Sequence, residues 1–391
     1  MNPFQSNIRK LYIFNFLEGL YFVAGVMIPF FLDWGKISFT QIMILQSLFV
    51  FFAFALEVPT GAIADYFGRK TSLILADLAA ILAAGVYSSY PNFYIFIAGE
   101  FLFALAFSLT SGAAEALVYD SLKELGQEKQ SKKIFARVRS CQLAAIMIGA
   151  PLGSIIGAYI GLQYAMMLMA VPFSLAFLLA FTLKEPKPEK ITRTSYLQTI
   201  RSGVSYFRGH RALKALAFDR ISIAVLVFML IWTYQPKLMQ LSVPILYFGF
   251  IHTAFTGNEI LFTNKFELLE RLFGGKKGYL FSSAVISGAA FILLGLTSHV
   301  AIAISLFVLI AGFGLSREVL FISYMNKHIE SKNRATVLST VSMIERLSMG
   351  LLYLAVGPLV RWSLTYALIA IGSLIIIFAI ISRVEEAHLI D

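Results

Sequence analysis

Along the chain, apolar residues fall into blocks of about twenty separated by short polar clusters, the length a helix rising ~1.5 Å per residue needs to cross a ~30 Å hydrocarbon core. The pattern predicts helices near 11–32, 40–64, 71–90, 93–119, 134–160, 162–183, 213–234, 242–264, 278–297, 300–325, 335–357 and 362–382. These blocks are too long to be buried strands, so the predicted fold is an all-α membrane protein of twelve transmembrane helices. One long polar interruption, KEPKPEKITRTSYLQTIRSGVSYFRGHR at 184–211, lies near the middle of the chain. It parts six helices from six, with an N-terminal bundle over 1–183, a cytoplasmic linker over 184–212 and a C-terminal bundle over 213–391. Its proline-rich start reads as extended. Tyr196, Ile200, Val204 and Phe207 recur at helical spacing and allow an amphipathic helix on the membrane surface. The leading MNPFQSNIRK runs into a full-length apolar block rather than a short segment ending in a cleavage site, so the first helix is expected to stay.

Composition agrees with the pattern: 58% of the residues are hydrophobic and 14% charged, against about a quarter charged in soluble domains. The net charge of +10 would suit nucleic acid in a soluble protein, but the placement of the charges gives another cause. Arg9, Lys10, Arg69, Lys70, Lys123, Lys132, Lys133, the linker residues, Lys276, Lys277, Lys327 and Arg334 fall on alternate connections, and the others hold only Lys36, Lys237 and Arg361. Positive residues resist translocation, so both termini are expected on the cytoplasmic side of the plasma (inner) membrane, and no nucleic-acid partner is expected. Cys141 is the only cysteine, which rules out a disulfide within the chain.

The halves also resemble each other. Glu115-Ala-Leu-Val-Tyr-Asp120 aligns with the segment from Glu318, Ser131-Lys132-Lys133 with Ser331-Lys332-Asn333, and Asp65-Tyr-Phe-Gly68-Arg69-Lys70 with the segment Glu270 to Lys277. A common offset of about 200 over three ordered matches points to two pseudo-symmetric bundles.

Gly61-Ala-Ile-Ala-Asp65-Tyr-Phe-Gly68-Arg69-Lys70 follows the second helix and resembles the G-x-x-x-D-x-x-G-R-K/R signature of the major facilitator superfamily, drug:proton antiporter-type members included. Physically, Gly61 would let a neighbouring backbone approach, Gly68 would permit a tight turn, Asp65 could accept from a helix N-terminus, and Arg69 could bridge carboxylates. The resemblance implies that these contacts lock the cytoplasmic side, with Asp120 as the acidic partner at the end of the fourth helix and Glu57 as a further gate candidate. Gly149-Ala-Pro151-Leu-Gly153-Ser-Ile-Ile-Gly157 is similar to, but departs from, a Gly/Pro motif of proton-driven exporters. Small residues of this kind also serve close helix packing.

Ionisable residues at bilayer depth cost about 2.5–3.5 kcal/mol each on insertion scales and usually face a partner or a watery cavity. Glu18, Glu100, Glu115, Glu259 and Arg139 are therefore the candidates for proton or substrate binding, with Glu18 first because no basic residue lies near it in sequence. Glu115 and Arg139 lie at equal depth and are expected to pair, with Glu318 and Arg346 as their counterpart. Asp77 is placed at headgroup level. Tyr21, Phe22, Tyr119, Trp232 and Tyr234 lie on helices that the resemblance assigns to a cavity, and such walls suit amphipathic or cationic solutes. No phosphate-binding loop, metal-ligand spacing or nucleophile elbow occurs in the sequence, so neither an enzyme nor a bound cofactor or metal is expected. The reading is a secondary active transporter, acting as a monomer on a small-molecule substrate, coupled to protons and exporting amphipathic molecules by alternating access. A proton-coupled importer of a small metabolite, sugar or siderophore, and a non-transporting sensor or scaffold, stand as the alternatives.

Overall fold

A computed structural model describes residues 3–186, 205–207, 209–330 and 333–389. Among the described residues, ten helices are long and apolar enough to cross a membrane, and the bent pair Pro3–Gly25 and Met27–Trp34 makes an eleventh. Phe248–Thr263 supplies the twelfth: its 16 residues follow a 3-10 turn at Ile245–Tyr247, and together they span about 30 Å. In chain order α1 is the bent pair, α2 Phe39–Phe67, α3 Arg69–Ser89, α4 Phe93–Glu124, α5 Glu128–Tyr159 and α6 Leu162–Phe181. The second half comprises α7 Arg211–Gln240, α8 Phe248–Thr263, α9 Lys276–Leu296, α10 Val300–Lys327, α11 Arg334–Trp362 and α12 Leu364–Ile381. The described residues are helical with no strand, and the expected all-α membrane fold is what the structure has.

Local chemistry sets several boundaries. Ser38 accepts from the Gln41 amide while the Gln41 side chain accepts from the Ser38 amide, a reciprocal cap at the start of α2. Asn92 caps α4 through the Tyr94 amide at 2.8 Å. The turn between α2 and α3 needs Gly68, whose φ of 91° suits a residue without a Cβ. The first helix begins at Pro3, earlier than its apolar block suggests, because Ile8 and Leu11 are buried against Leu117 and Val118. Of the surface helix predicted in the linker, Tyr196, Ile200 and Val204 lie outside the described residues; Phe207 is half-buried against the core of the second half.

The chain forms two compact units. One holds the described residues up to 186 together with Pro244–Thr253; the other holds the described residues from 205 to Val243 and from Ala254 onward. In the first unit Leu11, Phe14, Leu73, Leu117, Leu122 and Ala180 form a core. The second has Leu213, Leu216, Tyr279, Phe321, Tyr324 and Val341 in the same role. Leu75, Leu78 and Leu82 on α3, Leu175 and Leu178 on α6, Leu293 and Leu296 on α9, and Leu374, Ile377 and Ile380 on α12 are exposed. Apolar stripes of that length are suited to lipid rather than water.

Small residues bring α1 and α5 into backbone contact. A Cβ added to Gly153 would overlap the Phe22 carbonyl, one at Gly149 would crowd the Tyr21 amide, and one at Gly25 would overlap the Ala150 carbonyl. The Gly/Pro run of α5 is thus accounted for by helix packing within the first unit. Gly61 behaves otherwise. A Cβ there would meet open space, so in this structure it serves no close approach of a neighbouring backbone.

Candidate functional site

Five of the twelve helices are interrupted: the first and fourth of each half, and α6, which breaks at Leu168 and Met169. In α1 the α-helix stops at Gly19, gives way to a 3-10 turn at Phe22–Gly25, and resumes with a 64° bend and a π-helical end at Phe30–Trp34. In α4 it stops at Thr110, passes through Ser111 and a left-handed Gly112 (φ 75°), and restarts at Ala113. α7 breaks at Phe228, and α10 carries a π segment at Ala311–Leu315. Broken helices at membrane depth leave backbone groups outside the regular ladder, and they recur where transporters bind ions or substrates.

Glu18 lies one residue before the break in α1 and is half-buried. Thr110, at the break in α4, donates to its Oε1 at 3.4 Å. Asp77 on α3 lies within electrostatic range of Glu18. Asp77 is fully buried, and neither of its carboxylate oxygens has a hydrogen-bond partner. It therefore does not reach the headgroups: its side chain turns into the unit, as do those of Leu73, Ala76, Ala80 and Ala84 on α3. Toward the other end of the unit, buried Glu100 on α4 accepts from Gln46 Nε2 on α2 at 2.7 Å. Beside it packs an aromatic cluster of Phe30, Phe31, Trp34, Tyr87 and Phe96, with Tyr87 and Phe96 stacked at 5.4 Å. Tyr21 and Phe22, at the break in α1, are half-buried.

At the loop end of this unit Arg69 forms an ion pair with Asp120, and its Nη1 also donates to the Ala116 carbonyl at 3.2 Å. Asp65 is exposed, as is Tyr119, and Glu57 is half-buried. The acid that caps the start of α3 is Glu185, not Asp65. Its two oxygens accept from the Arg69 amide at 2.8 Å and the Lys70 amide at 2.7 Å, while Lys70 Nζ donates to the Phe181 carbonyl at 2.6 Å. The second unit repeats the device: Glu386 accepts from the Lys277 amide at 3.0 Å at the start of α9, and Lys276 Nζ donates to the Leu389 carbonyl at 2.9 Å.

The expected pairing of Glu115 with Arg139 does not form. Both side chains are exposed, and Arg139 donates to Gln142 on its own helix at 2.7 Å. Equal depth says nothing about which face of each helix a residue occupies. In the second unit Glu318 is joined by Arg220 at 3.2 Å, and Arg220 also reaches Glu345 at 2.8 Å. Beside this triad, buried Arg317 pairs with buried Asp219 at 2.7 Å and donates to Ser283 Oγ at 2.6 Å and to the Leu280 carbonyl. Trp232 and Tyr234 are both buried: Trp232 Nε1 donates to the Tyr353 hydroxyl at 3.2 Å, and Tyr234 accepts from Gln235 and packs edge-on against Phe255 and Phe307. Glu259 is half-buried on α8, next to Asn258, which donates to the Val308 carbonyl on α10.

The family model of the Major Facilitator Superfamily matches residues 12–263, well over half of the chain. The chain belongs to the major facilitator superfamily. Its fold is similar to that of the nucleoside transporter NupG, with a TM-score of 0.80, 12% identity and coverage of 97% of this chain and 98% of that one. It is also similar to a POT family transporter in complex with a thioalcohol-conjugated peptide, with a TM-score of 0.77, 12% identity and coverage of 99% and 97%. The POT family transporter PepTSo gives 0.74 at 13% identity, covering 97% of each chain. No curated protein matches by sequence. At these identities the structures speak for the fold alone.

In this member of the superfamily, the residues that sequence reasoning missed share one property. Asp77, Glu185, Glu386 and the Asp219–Arg317 pair act across helices far apart in sequence. Glu185 and Glu386 did leave a trace: each lies two residues after a buried apolar anchor, Leu183 or Val384, at the end of its half.

Proposed function

We propose that this superfamily member is a proton-coupled secondary transporter working by alternating access, and that Glu18 and Asp77 form its proton site. The observation that carries the proposal is Asp77, a fully buried carboxylate without a donor to either oxygen, beside a second acid at the breaks in α1 and α4. An ionised carboxylate buried with no donor is strongly disfavoured, and two adjacent carboxylates disfavour joint ionisation. A proton taken up by either acid relieves both costs, and opening of the site to water lets it leave. Glu100, held by Gln46, is the further acid at depth. Glu115 and Arg139, exposed on separate helices, are better placed to meet solvent or solute than to lock the unit. The Arg69–Asp120 pair and the Gly68 turn serve as the gate at the loop end, which the positive-charge pattern assigns to the cytoplasm, in a plasma membrane with both termini inside.

For the solute, the half-buried aromatics Tyr21 and Phe22 beside acidic Glu18 favour amphipathic or cationic molecules, exchanged outward for protons. Import of a small metabolite is the second reading. It is favoured by the contacts of Gly149 and Gly153 with α1, which explain the α5 Gly/Pro run without an export role, and by fold relatives named as nucleoside and POT family transporters.

Reconstituted vesicles with an imposed pH gradient and a pH-sensitive dye test the proposal. Lipophilic cations should move against the proton gradient, with Glu18→Gln and Asp77→Asn each abolishing proton movement while binding persists. Flux in the unmodified protein that is indifferent to the gradient would remove proton coupling. Movement of nucleosides or peptides with the gradient, and none of cations, would select import.

A further inference from the structure

At the end of the second unit remote from the Gly275–Lys277 turn, a cavity of about 510 Å³ opens between the ends of α7, α9 and α12. Lys237, Gln240, Ser242, Thr297, Ser298 and Thr365 give it a polar lining. Lys237 is only 2% exposed, and its ammonium makes one long hydrogen bond, 3.3 Å to Gln240 Oε1. No carboxylate lines the cavity and no acid pairs with Lys237 among the described residues. A buried ammonium without a counter-charge is a costly arrangement that structural packing alone does not require. The hydroxyls of Ser242, Thr297, Ser298 and Thr365 line the same cavity, and Ser242 is held with φ at 55°, an unusual backbone for a residue with a side chain. Cation plus hydroxyls, with room to spare, is the chemistry of a phosphate site.

The surroundings indicate what carries the phosphate. Trp362 and Tyr366 flank Thr365, stack at 5.2 Å and are both exposed, as aromatics at a membrane–water boundary are. Leu293 and Leu296, on the same end of α9, belong to its exposed apolar stripe. A ligand in this cavity would have its charged end beside Lys237 and an apolar path along α9.

We propose that the cavity binds the phosphate of a phospholipid headgroup, with Lys237 as its counter-charge and Thr297, Ser298 and Thr365 as hydroxyl donors. The proposal is independent of the direction or coupling of transport.

The test uses the full chain purified in detergent and stripped of lipid, with thermal unfolding and native mass spectrometry as readouts. Phosphatidylglycerol should raise the melting temperature and stay bound as a single adduct, and the uncharged lipid diacylglycerol should do neither. Lys237→Met should melt higher than the unmodified protein when lipid is absent, since an uncompensated charge has been removed, and should bind phosphatidylglycerol at least tenfold more weakly. Lys237→Arg should keep the adduct. The paired change Thr297→Val with Ser298→Ala, which leaves the buried ammonium in place, should weaken the adduct and keeps the test open if Lys237→Met does not fold. Stabilisation by inorganic phosphate equal to that by the lipid would assign the site to a free anion and overturn the headgroup reading. Undiminished lipid binding in both the Lys237→Met and the hydroxyl-stripped proteins would overturn the site itself.

Discussion

Replacing Asp219 with alanine should destabilise this protein strongly. Asp219 and Arg317 are both nearly inaccessible, and their oxygen and nitrogen are 2.7 Å apart. Removing one partner of a buried pair costs about 3–5 kcal/mol, because the remaining charge has lost its compensation and not its burial. Arg317 retains Ser283 Oγ and the Leu280 carbonyl as acceptors, which places the expected loss near the lower end, about 3 kcal/mol. At 1.4 kcal/mol per tenfold, that is a change of roughly two orders of magnitude in the unfolding equilibrium. The double change Asp219→Ala with Arg317→Met removes both charges and should recover most of the loss. A double-mutant cycle, read by denaturant titration in detergent, isolates the coupling. Additive single effects, or a loss below about 1 kcal/mol for Asp219→Ala, would show that the guanidinium is already satisfied by its neutral acceptors and that the carboxylate is dispensable.

Glu185→Ala should free the start of α3, with a loss of about 1 kcal/mol; hydrogen exchange at the Arg69 and Lys70 amides would rise several-fold, and unchanged exchange would refute the cap. Gly153→Ala should destabilise by about 1–3 kcal/mol, since its Cβ overlaps the Phe22 carbonyl, whereas Gly61→Ala should be neutral or slightly stabilising because its Cβ meets open space; melting temperatures of the two variants compared side by side decide between them. Gln46→Leu should leave buried Glu100 without its 2.7 Å donor and cost about 1–3 kcal/mol, a loss that Glu100→Gln should partly reverse in the same thermal assay.

Features that depend on one helix at a time were legible in the sequence. Hydropathy located the twelve segments to within a few residues for most ends; Gly68 pointed to the positive-φ turn, and the resemblance to the major facilitator signature implied the pairing of Arg69 with Asp120. The interruptions were not visible. Gly19 and Gly112 are single glycines in apolar blocks, and hydropathy averages over such breaks. Pairings between helices were harder still, because depth follows from sequence and azimuth does not. Glu115 and Arg139 share a depth yet face apart, whereas Asp219 and Arg317 share both and meet. The same limit misplaced Asp77: its distance from the α3 terminus looked shallow, but its face of the helix turns into the unit, where no water reaches it.

The repeat explains why the unpartnered acid lies in the first half and the closed network in the second. Gly68 matches Gly275 at an offset of 207, and Glu115 matches Glu318 at an offset of 203. Within that range Arg317 corresponds to Ala114, and Ser283, which Arg317 reaches, falls at or next to the counterpart of Asp77. Arg220, the cation of the Glu318–Glu345 triad, lies at an offset of 202 from Glu18, one position short of that range. The second half therefore has arginines on its first and fourth helices where the first half has Glu18 and Ala114. Guanidiniums stay charged at any accessible pH, so a network built on them is fixed. The same scaffold with a glutamate and an alanine in their places leaves Asp77 without a cation. One half thus carries ion pairs built on buried arginines, and the other a buried acid, Asp77, with no hydrogen-bond partner among the described residues.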